Sequence, residues 1–242
     1  MKRSLVALAI LISLALFAAA AAAKKESGTT VDSGSFEVLV DGKRVGTEHF
    51  KIQQNAAGSV TTSTIKVVAG TKAEQSSTLQ LNATGELVHY DWKELSPGKA
   101  QTTVEVSGGI LLQKVTLVAG KKPDELPYMT PPSTFILDDN FFTHRQLIVW
   151  RYLGGNCGTK DGKFACVPGK LGILVPAQHI KAIVALELVG LEKISWKGSE
   201  REVLHVKLTA DEIAWDIWVD PADSYKVLRI LIPANKTEVL RT

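Results

Sequence analysis

Only one stretch of this sequence has the spacing of an amphipathic helix, and nearly all of the remainder alternates between apolar and polar residues in short segments. The helical stretch lies within residues 134–155, T-F-I-L-D-D-N-F-F-T-H-R-Q-L-I-V-W-R-Y-L-G-G. The alternating segments are separated by turn pairs such as Asp41-Gly42 and Pro97-Gly98. Alternation with a period of two is typical of strands with one face in a core, and regularly spaced turns favour antiparallel hairpins. The sequence therefore predicts a mainly β fold.

The number of alternating segments predicts one large sheet. In the first half of the chain they cover residues 60–68, 73–81, 87–95, 101–106 and 110–118, and further segments follow the helical stretch. An antiparallel sheet of about a dozen strands curls or closes because strands twist. A curled sheet leaves an apolar concave face, which the single helix is available to fill. We predict a half-open barrel, an antiparallel meander with one helix at about 138–153 packed in or over its concave face.

The helical stretch contains signals for both of its ends. Asp138, Asp139 and Asn140 are suitable N-cap residues, because their side chains can accept hydrogen bonds from the first free backbone N–H groups. Gly154-Gly155 follows the last apolar residue, where a left-handed residue commonly ends a helix. Thr143, His144 and Arg151 fall on the side away from the core. A broad apolar stripe predicts the buried face, and it contains Phe141, Phe142, Ile148, Val149, Tyr152 and Leu153.

Arg145 interrupts that apolar stripe and allows two interpretations. A buried guanidinium without a partner is costly, so it can be paired with an internal carboxylate or reach water while its stem packs. Alternatively, it is a cation at the lip of an apolar cavity and holds the anionic head of a ligand. The candidate ligand-binding residues are Arg145 and the side chains that we expect near the same hollow, which are Phe141, Ile148, Tyr152, Trp92 and Trp215. Trp215 and Trp218 are expected on opposite faces of their strand.

The N-terminal residues have the pattern of an export signal. Lys2 and Arg3 precede an apolar run, and small residues end it at residue 23, so residues 1–23 are predicted as a signal peptide. Residues 24–35 are polar and are predicted as a mobile lead-in to a single β-rich domain over residues 36–242. We expect an exported protein of the bacterial periplasm or cell envelope.

Cys157 and Cys166 are the only two cysteines. In an exported protein a pair this close predicts a disulfide that ties a short hairpin or loop. A metal site would need further ligands, and no histidine or additional cysteine has a suitable spacing, so no metal is expected.

Charge and motifs argue against several classes of function. The formal net charge is +3 with no basic block, so no nucleic-acid partner is expected. The five histidines are scattered, and the sequence lacks the spacing of a catalytic or cofactor-binding motif. His144 is the one exception, because it could pair with Asp139 if a cleft opens above the helix. We expect no enzymatic activity and no cofactor.

Three segments resemble a family of uncharacterised bacterial envelope proteins. They are F-E-V-L-V-D-G-K-R-V-G-T, P-P-S-T-F-I-L-D-D-N-F-F-T-H-R and I-A-W-D-I-W-V-D-P-A-D-S-Y-K-V-L-R-I. The first is similar to the family's opening hairpin, the second to its loop into a helix, and the third to its Trp-led strand and final strand. The disulfide loop departs from that pattern. The family in turn resembles the lipoprotein-localisation carriers of the LolA and LolB type, which implies a half-open barrel over an apolar cavity.

Two functions follow as hypotheses. The first is a non-enzymatic carrier or binding protein for an amphiphile, such as a lipid or the acyl chain of a lipoprotein, with peripheral contact to a membrane. The second is a structural or assembly partner in the envelope, with a solid core and no ligand, which acts through a sheet edge or the proline-rich loop at 123–132.

Overall fold

Strands make up most of the chain. The computed structural model describes residues 28–160, 163–211 and 213–242, so the predicted signal peptide at 1–23 lies outside the described residues. In chain order the elements are β1 (Thr29–Val40), β2 (Lys43–Asn55), β3 (Gly58–Val67), β4 (Ala73–Asn82), β5 (Leu87–Ser96), β6 (Gln101–Ser107), β7 (Ile110–Thr116), β8 (Asp124–Tyr128), β9 (Phe135–Ile136), α1 (Thr143–Asn156), β10 (Cys157–Lys160), β11 (Lys163–Cys166), β12 (Gly169–Val175), β13 (Ile180–Trp196), β14 (Ser199–Ala210), β15 (Ile213–Asp220), β16 (Lys226–Ile232) and β17 (Thr237–Arg241).

Fifteen of the strands form one sheet. Their spatial order is β8-β7-β6-β5-β4-β3-β2-β1-β17-β16-β15-β14-β13-β12-β9, and β10 pairs with β11 in a separate hairpin. Neighbours are antiparallel except for β9, which runs parallel to β12. The sheet is curled but does not close, because β8 and β9 remain as its two edges. This confirms the predicted mainly β fold.

The strand predictions agree closely with the structure in the first half of the chain. The five segments predicted over 60–118 match β3 to β7 to within two residues at each end. β8 lies in the proline-rich segment at 123–132, and it contains Pro127 at the sheet edge. An edge strand tolerates proline because one row of its N–H groups has no neighbour to pair with.

The first strand begins earlier than the sequence indicated. β1 starts at Thr29, so residues 29–35 of the predicted mobile lead-in are part of the sheet. Asp32 explains the difference, because this residue is only 4% exposed and its side chain is paired with Arg241 of β17. An internal ion pair between the first and last strands was not visible from local composition.

The helix begins and ends later than predicted. α1 covers Thr143–Asn156, and its last residues include Gly154 and Gly155, neither of which has a positive φ. The N–H of Cys157, in extended conformation, donates to the carbonyl of Leu153. The chain therefore passes directly from the helix into β10, and the left-handed glycine cap that we predicted does not form.

The helix lies against the concave face of the sheet. One continuous apolar cluster joins helix residues such as Ile148 and Tyr152 to inward-facing residues of strands from both halves of the sheet. Trp215 belongs to this cluster, whereas Trp218 belongs to a smaller cluster on the other face with Val203 and Leu228. The predicted opposite orientation of the two tryptophans is confirmed.

The disulfide between Cys157 and Cys166 is present and joins the two strands of the β10–β11 hairpin. Phe164 of this hairpin stacks on Tyr225 with a centroid distance of 6.4 Å. The disulfide is consistent with export, since such bonds persist in oxidising compartments.

Candidate ligand-binding cleft and the polar network at the helix N-terminus

The first turn of α1 is polar, yet it is completely buried. Thr143, His144, Arg145 and Gln146 are each no more than 2% exposed. Thr143 and His144 were predicted on the side away from the core, but the curled sheet covers that side too. Leaving a buried polar group unpaired costs about 1–3 kcal/mol, so each of these side chains needs a partner. Distant strands supply the partners of Thr143 and Gln146, and the turn before the helix supplies those of His144 and Arg145.

The carboxylate of Glu48, on β2, caps the helix. Its Oε2 accepts the backbone N–H of Phe142 at 2.7 Å, and the backbone nitrogen of Thr143 lies 3.3 Å from both carboxylate oxygens. The hydroxyls of Thr143 and Ser63 donate to Oε1 at 2.5 and 2.6 Å. Phe142 is the N-cap residue and makes no side-chain cap of its own. A negative charge at this end also suits the helix dipole.

The three residues predicted as N-caps precede the helix instead. Asp138 is buried and accepts the hydroxyl of Tyr90 at 2.5 Å and the backbone N–H of Asn140 at 2.8 Å. Burial raises the pKa of Asp138, and these hydrogen bonds oppose that rise. Asp138 therefore shapes the turn before the helix, while Glu48 performs the capping role.

His144 is held as a neutral ring. The backbone N–H of Asp138 donates to its Nδ1 at 3.1 Å, so the proton is on Nε2, which has no acceptor among the described residues. Burial, followed by the nearby charge of Arg145, lowers the pKa of His144 to about 3. The hydrogen bond is to the backbone of Asp138 and not to the Asp139 carboxylate that the sequence suggested as a partner.

This ring makes the stability of the protein depend on pH. Between pH 6.5 and about 3 the unfolded histidine takes up a proton and the folded one does not, so stability falls as pH falls. We expect protonation of His144 in the unfolded state to lower the free energy of unfolding by about 2 kcal/mol between pH 7 and pH 5. In His144→Asn the side-chain oxygen can still accept the Asp138 N–H, but this loss should disappear. Urea unfolding at both pH values measures this loss. If the stability of the two proteins changed with pH in the same way, His144 would not be its cause.

Arg145 is paired with backbone and carboxylate groups. Nη1 donates to the carbonyls of Asp138 and Phe141 at 2.7 and 3.0 Å, and Nη2 donates to Oδ1 of Asp139 at 3.2 Å. The guanidinium lies 5.3 Å from the centre of the Phe142 ring. Burial lowers the pKa of Arg145, and the neighbouring carboxylates oppose this, so the group remains charged. Its Nε has no acceptor among the described residues.

Gln146 ties the helix to the junction of the first and last strands. Its Nε2 donates to Oδ2 of Asp32 at 2.5 Å, and its Oε1 accepts the backbone N–H of Val227 at 3.1 Å. Arg241 binds both oxygens of Asp32 and lies 5.2 Å from the ring centre of Phe50. These contacts fix the rotation of the helix inside the sheet.

A cleft of about 800 Å³ opens beside this helical turn. It lies at the end of the curled sheet where β12–β13, β14–β15 and β16–β17 are connected. Its wall is mainly apolar and includes Ile173, Val175, Ile180, Ile213, Trp215 and Ile232. Ile180 and Ile213 are 47% and 46% exposed, so the rim of the cleft is apolar as well.

The polar side of the cleft is formed by Arg145 and Asp139, with Gln178 and Asp211 nearby. The side chain of Asp139 is 37% exposed, and its Oδ2 accepts a hydrogen bond from Nε2 of Gln178. Trp215 is 7% exposed, and its indole N–H has no acceptor within the described part of the chain. The cleft thus combines an apolar wall with one polar end.

The structure brings together two of the six predicted ligand-binding residues, since Arg145 and Trp215 both line the cleft. Phe141, Ile148 and Tyr152 are no more than 1% exposed and pack the helix against the sheet. Trp92 lies on a separate cavity of about 170 Å³. Ligand binding by any of the six stays a prediction.

Sequence analysis did not identify Glu48. A signal was available, because strand alternation places Glu48 on the same inward face as Phe50 and Ile52, which are both buried. A carboxylate at an inward position requires donors, and the free N–H groups of a helix start are suitable ones.

The residues that the structure describes lack two further features. They contain no cluster of three or more His, Cys, Asp or Glu side chains placed to hold a metal ion. No helix among them combines the length and apolar character needed to cross a membrane.

Comparison with known proteins supports the fold. No family model matches the chain, and no curated protein matches it in sequence. Its structure is similar to the crystal structure of a β-barrel-like protein of domain of unknown function DUF1849 from Brucella abortus. The TM-score is 0.54 at 8% identity, and the match covers 87% of this chain and 94% of that chain. At this identity the likeness shows a shared β-barrel-like architecture and nothing about activity.

Proposed function

We propose that this protein is an exported, non-enzymatic carrier or binding protein for a lipid-like amphiphile of the cell envelope. The observation that carries the proposal is the apolar cleft with Arg145 and Asp139 at its polar end. Its volume of about 800 Å³ is within the range of pockets that bind small molecules. An apolar wall suits a chain, and a single polar end suits a head group.

The location and the family resemblance support this proposal. The disulfide fits an oxidising compartment, for which the periplasm is our specific proposal. The lipoprotein-localisation carriers, which the sequence motifs resemble through an uncharacterised envelope family, are half-open barrels over apolar cavities. The apolar rim around Ile180 and Ile213 would favour transient contact with a membrane during loading.

Filling the cleft provides the test. Ala210 lines the cleft at the end of β14, so Ala210→Trp should occupy the space of the ligand. The neutral apolar dye N-phenyl-1-naphthylamine is expected to bind the unchanged protein, and Ala210→Trp should weaken binding about tenfold or more. Ala214→Trp is the matched control, because Ala214 precedes Trp215 and faces the other side of the sheet. Its binding should equal that of the unchanged protein.

Three outcomes would contradict the proposal. They are failure of the unchanged protein to bind the dye, equal binding by Ala210→Trp, and a native mass spectrum free of ligand after purification from a membrane-containing lysate. A ligand-free result would favour the second candidate, a structural partner in an envelope assembly. That candidate is supported by the open edge at β8 and by Leu117 and Met129, which are 70% and 77% exposed beside it.

A further inference from the structure

We infer that the cleft accepts an acyl chain with an uncharged head group, such as an acyl ester, and discriminates against a free carboxylate. This inference rests on the proposed function and specifies the ligand class for the same cleft. The observation that carries it is the charge balance of the lining residues, in which Arg145 already has a carboxylate partner and Asp211 adds a second carboxylate.

The positive charge in the cleft is already neutralised. Arg145 is ion-paired with Asp139 at 3.2 Å, and Asp211 adds a second carboxylate to the lining. Among the described lining residues there are thus two carboxylates and one cation. A ligand carboxylate would have to displace Asp139 from Arg145 or lie beside it, and two like charges that close disfavour ionisation of both. Coulomb repulsion is stronger there than in bulk water because the surroundings are apolar.

The pairing of Arg145 also decides between the two interpretations that the sequence left open for this residue. Its guanidinium is bound by Asp139 and by the carbonyls of Asp138 and Phe141. The ion pair with Asp139 therefore takes the place of the anionic ligand head, and a head group without charge avoids competing with that carboxylate.

The test compares two lipids with the same acyl chain. Monopalmitoylglycerol and palmitate are used to displace N-phenyl-1-naphthylamine at about pH 8.5, where the fatty-acid carboxyl is ionised. The unchanged protein should bind monopalmitoylglycerol about tenfold more tightly than palmitate. Asp139→Asn removes the negative charge that neutralises Arg145 and keeps a side chain of the same size and shape. Palmitate binding should then improve about tenfold, and monopalmitoylglycerol binding should change less than about threefold.

One further variant makes the result specific. Asp223→Asn removes a carboxylate in the turn after β15, at the opposite end of that strand from the cleft, and should leave both affinities unchanged.

The outcomes separate this inference from the proposed function. Preference of the unchanged protein for palmitate would overturn the inference, as would an Asp139→Asn variant that binds both lipids in the original ratio. Failure of both lipids and of the dye to bind would instead reject the proposed function itself. A circular-dichroism melt of each variant confirms that it is folded.

Discussion

Replacing Glu48 by alanine is expected to lower the free energy of unfolding by about 3–5 kcal/mol. The carboxylate is fully buried and accepts hydrogen bonds from the backbone N–H groups of Phe142 and Thr143. Without it those two N–H groups lose the acceptor that they have in the structure, and both belong to buried residues. The hydroxyls of Ser63 and Thr143 lie 3.2 Å apart and can still pair with each other. Urea unfolding followed by circular dichroism measures the loss.

Two other variants test the reason for that loss. Glu48→Gln keeps one acceptor oxygen but points an NH₂ group at donors. Its free energy of unfolding should therefore lie between that of the unchanged protein and that of Glu48→Ala. Glu200→Ala removes a strand carboxylate that is 68% exposed and paired with Lys193, and should cost less than about 1 kcal/mol. If Glu48→Ala were no more destabilising than Glu200→Ala, the helix would not depend on this cap.

The pH dependence of Glu48 has the opposite sign to that of His144. Burial raises the pKa of Glu48 above its ordinary value, so the folded state binds a proton more readily than the unfolded state does. The contribution of this residue to stability therefore increases as pH falls through the raised pKa. The free energy of unfolding of the unchanged protein, measured relative to that of Glu48→Gln, should therefore increase as the pH is lowered.

Replacing Arg145 by methionine is expected to lower the free energy of unfolding by about 3 kcal/mol. Methionine retains much of the stem's packing but cannot donate to the carbonyls of Asp138 and Phe141, which hold the turn before the helix. This is the lower end of the range of losses expected when a buried ion pair is broken, because the side chain of Asp139 is 37% exposed and can be hydrated. Denaturant unfolding gives the value.

A surface arginine and a double variant serve as controls. Arg44 is 58% exposed and paired with Glu37, so Arg44→Met should change stability by less than about 0.5 kcal/mol. The double variant Asp139→Asn with Arg145→Met should lose less than the sum of the single losses, because each single variant already breaks the same pair. Strict additivity would show that Arg145 stabilises the protein without help from Asp139.

The local features of this fold could be predicted because short-range chemistry controls them. Turn residues such as Asp41-Gly42 separate the strands, and alternation correctly assigned Trp215 and Trp218 to opposite faces. The disulfide followed from two cysteines close in sequence, in a chain with a predicted export signal. The candidate site was predicted only in part, since Arg145 and Trp215 line the cleft whereas Phe141, Ile148 and Tyr152 pack the core.

By itself the sequence determined that the protein would be a curled antiparallel sheet around one helix, because residue alternation and turn chemistry act between neighbours along the chain. Only the tertiary structure decided where that helix begins and what its first turn contacts. Glu48 and Thr143 are 95 positions apart, and Asp32 and Arg241 are 209 apart. Such pairs form only when the sheet has curled, because burial then makes each polar group depend on whichever partner the fold brings within hydrogen-bonding distance.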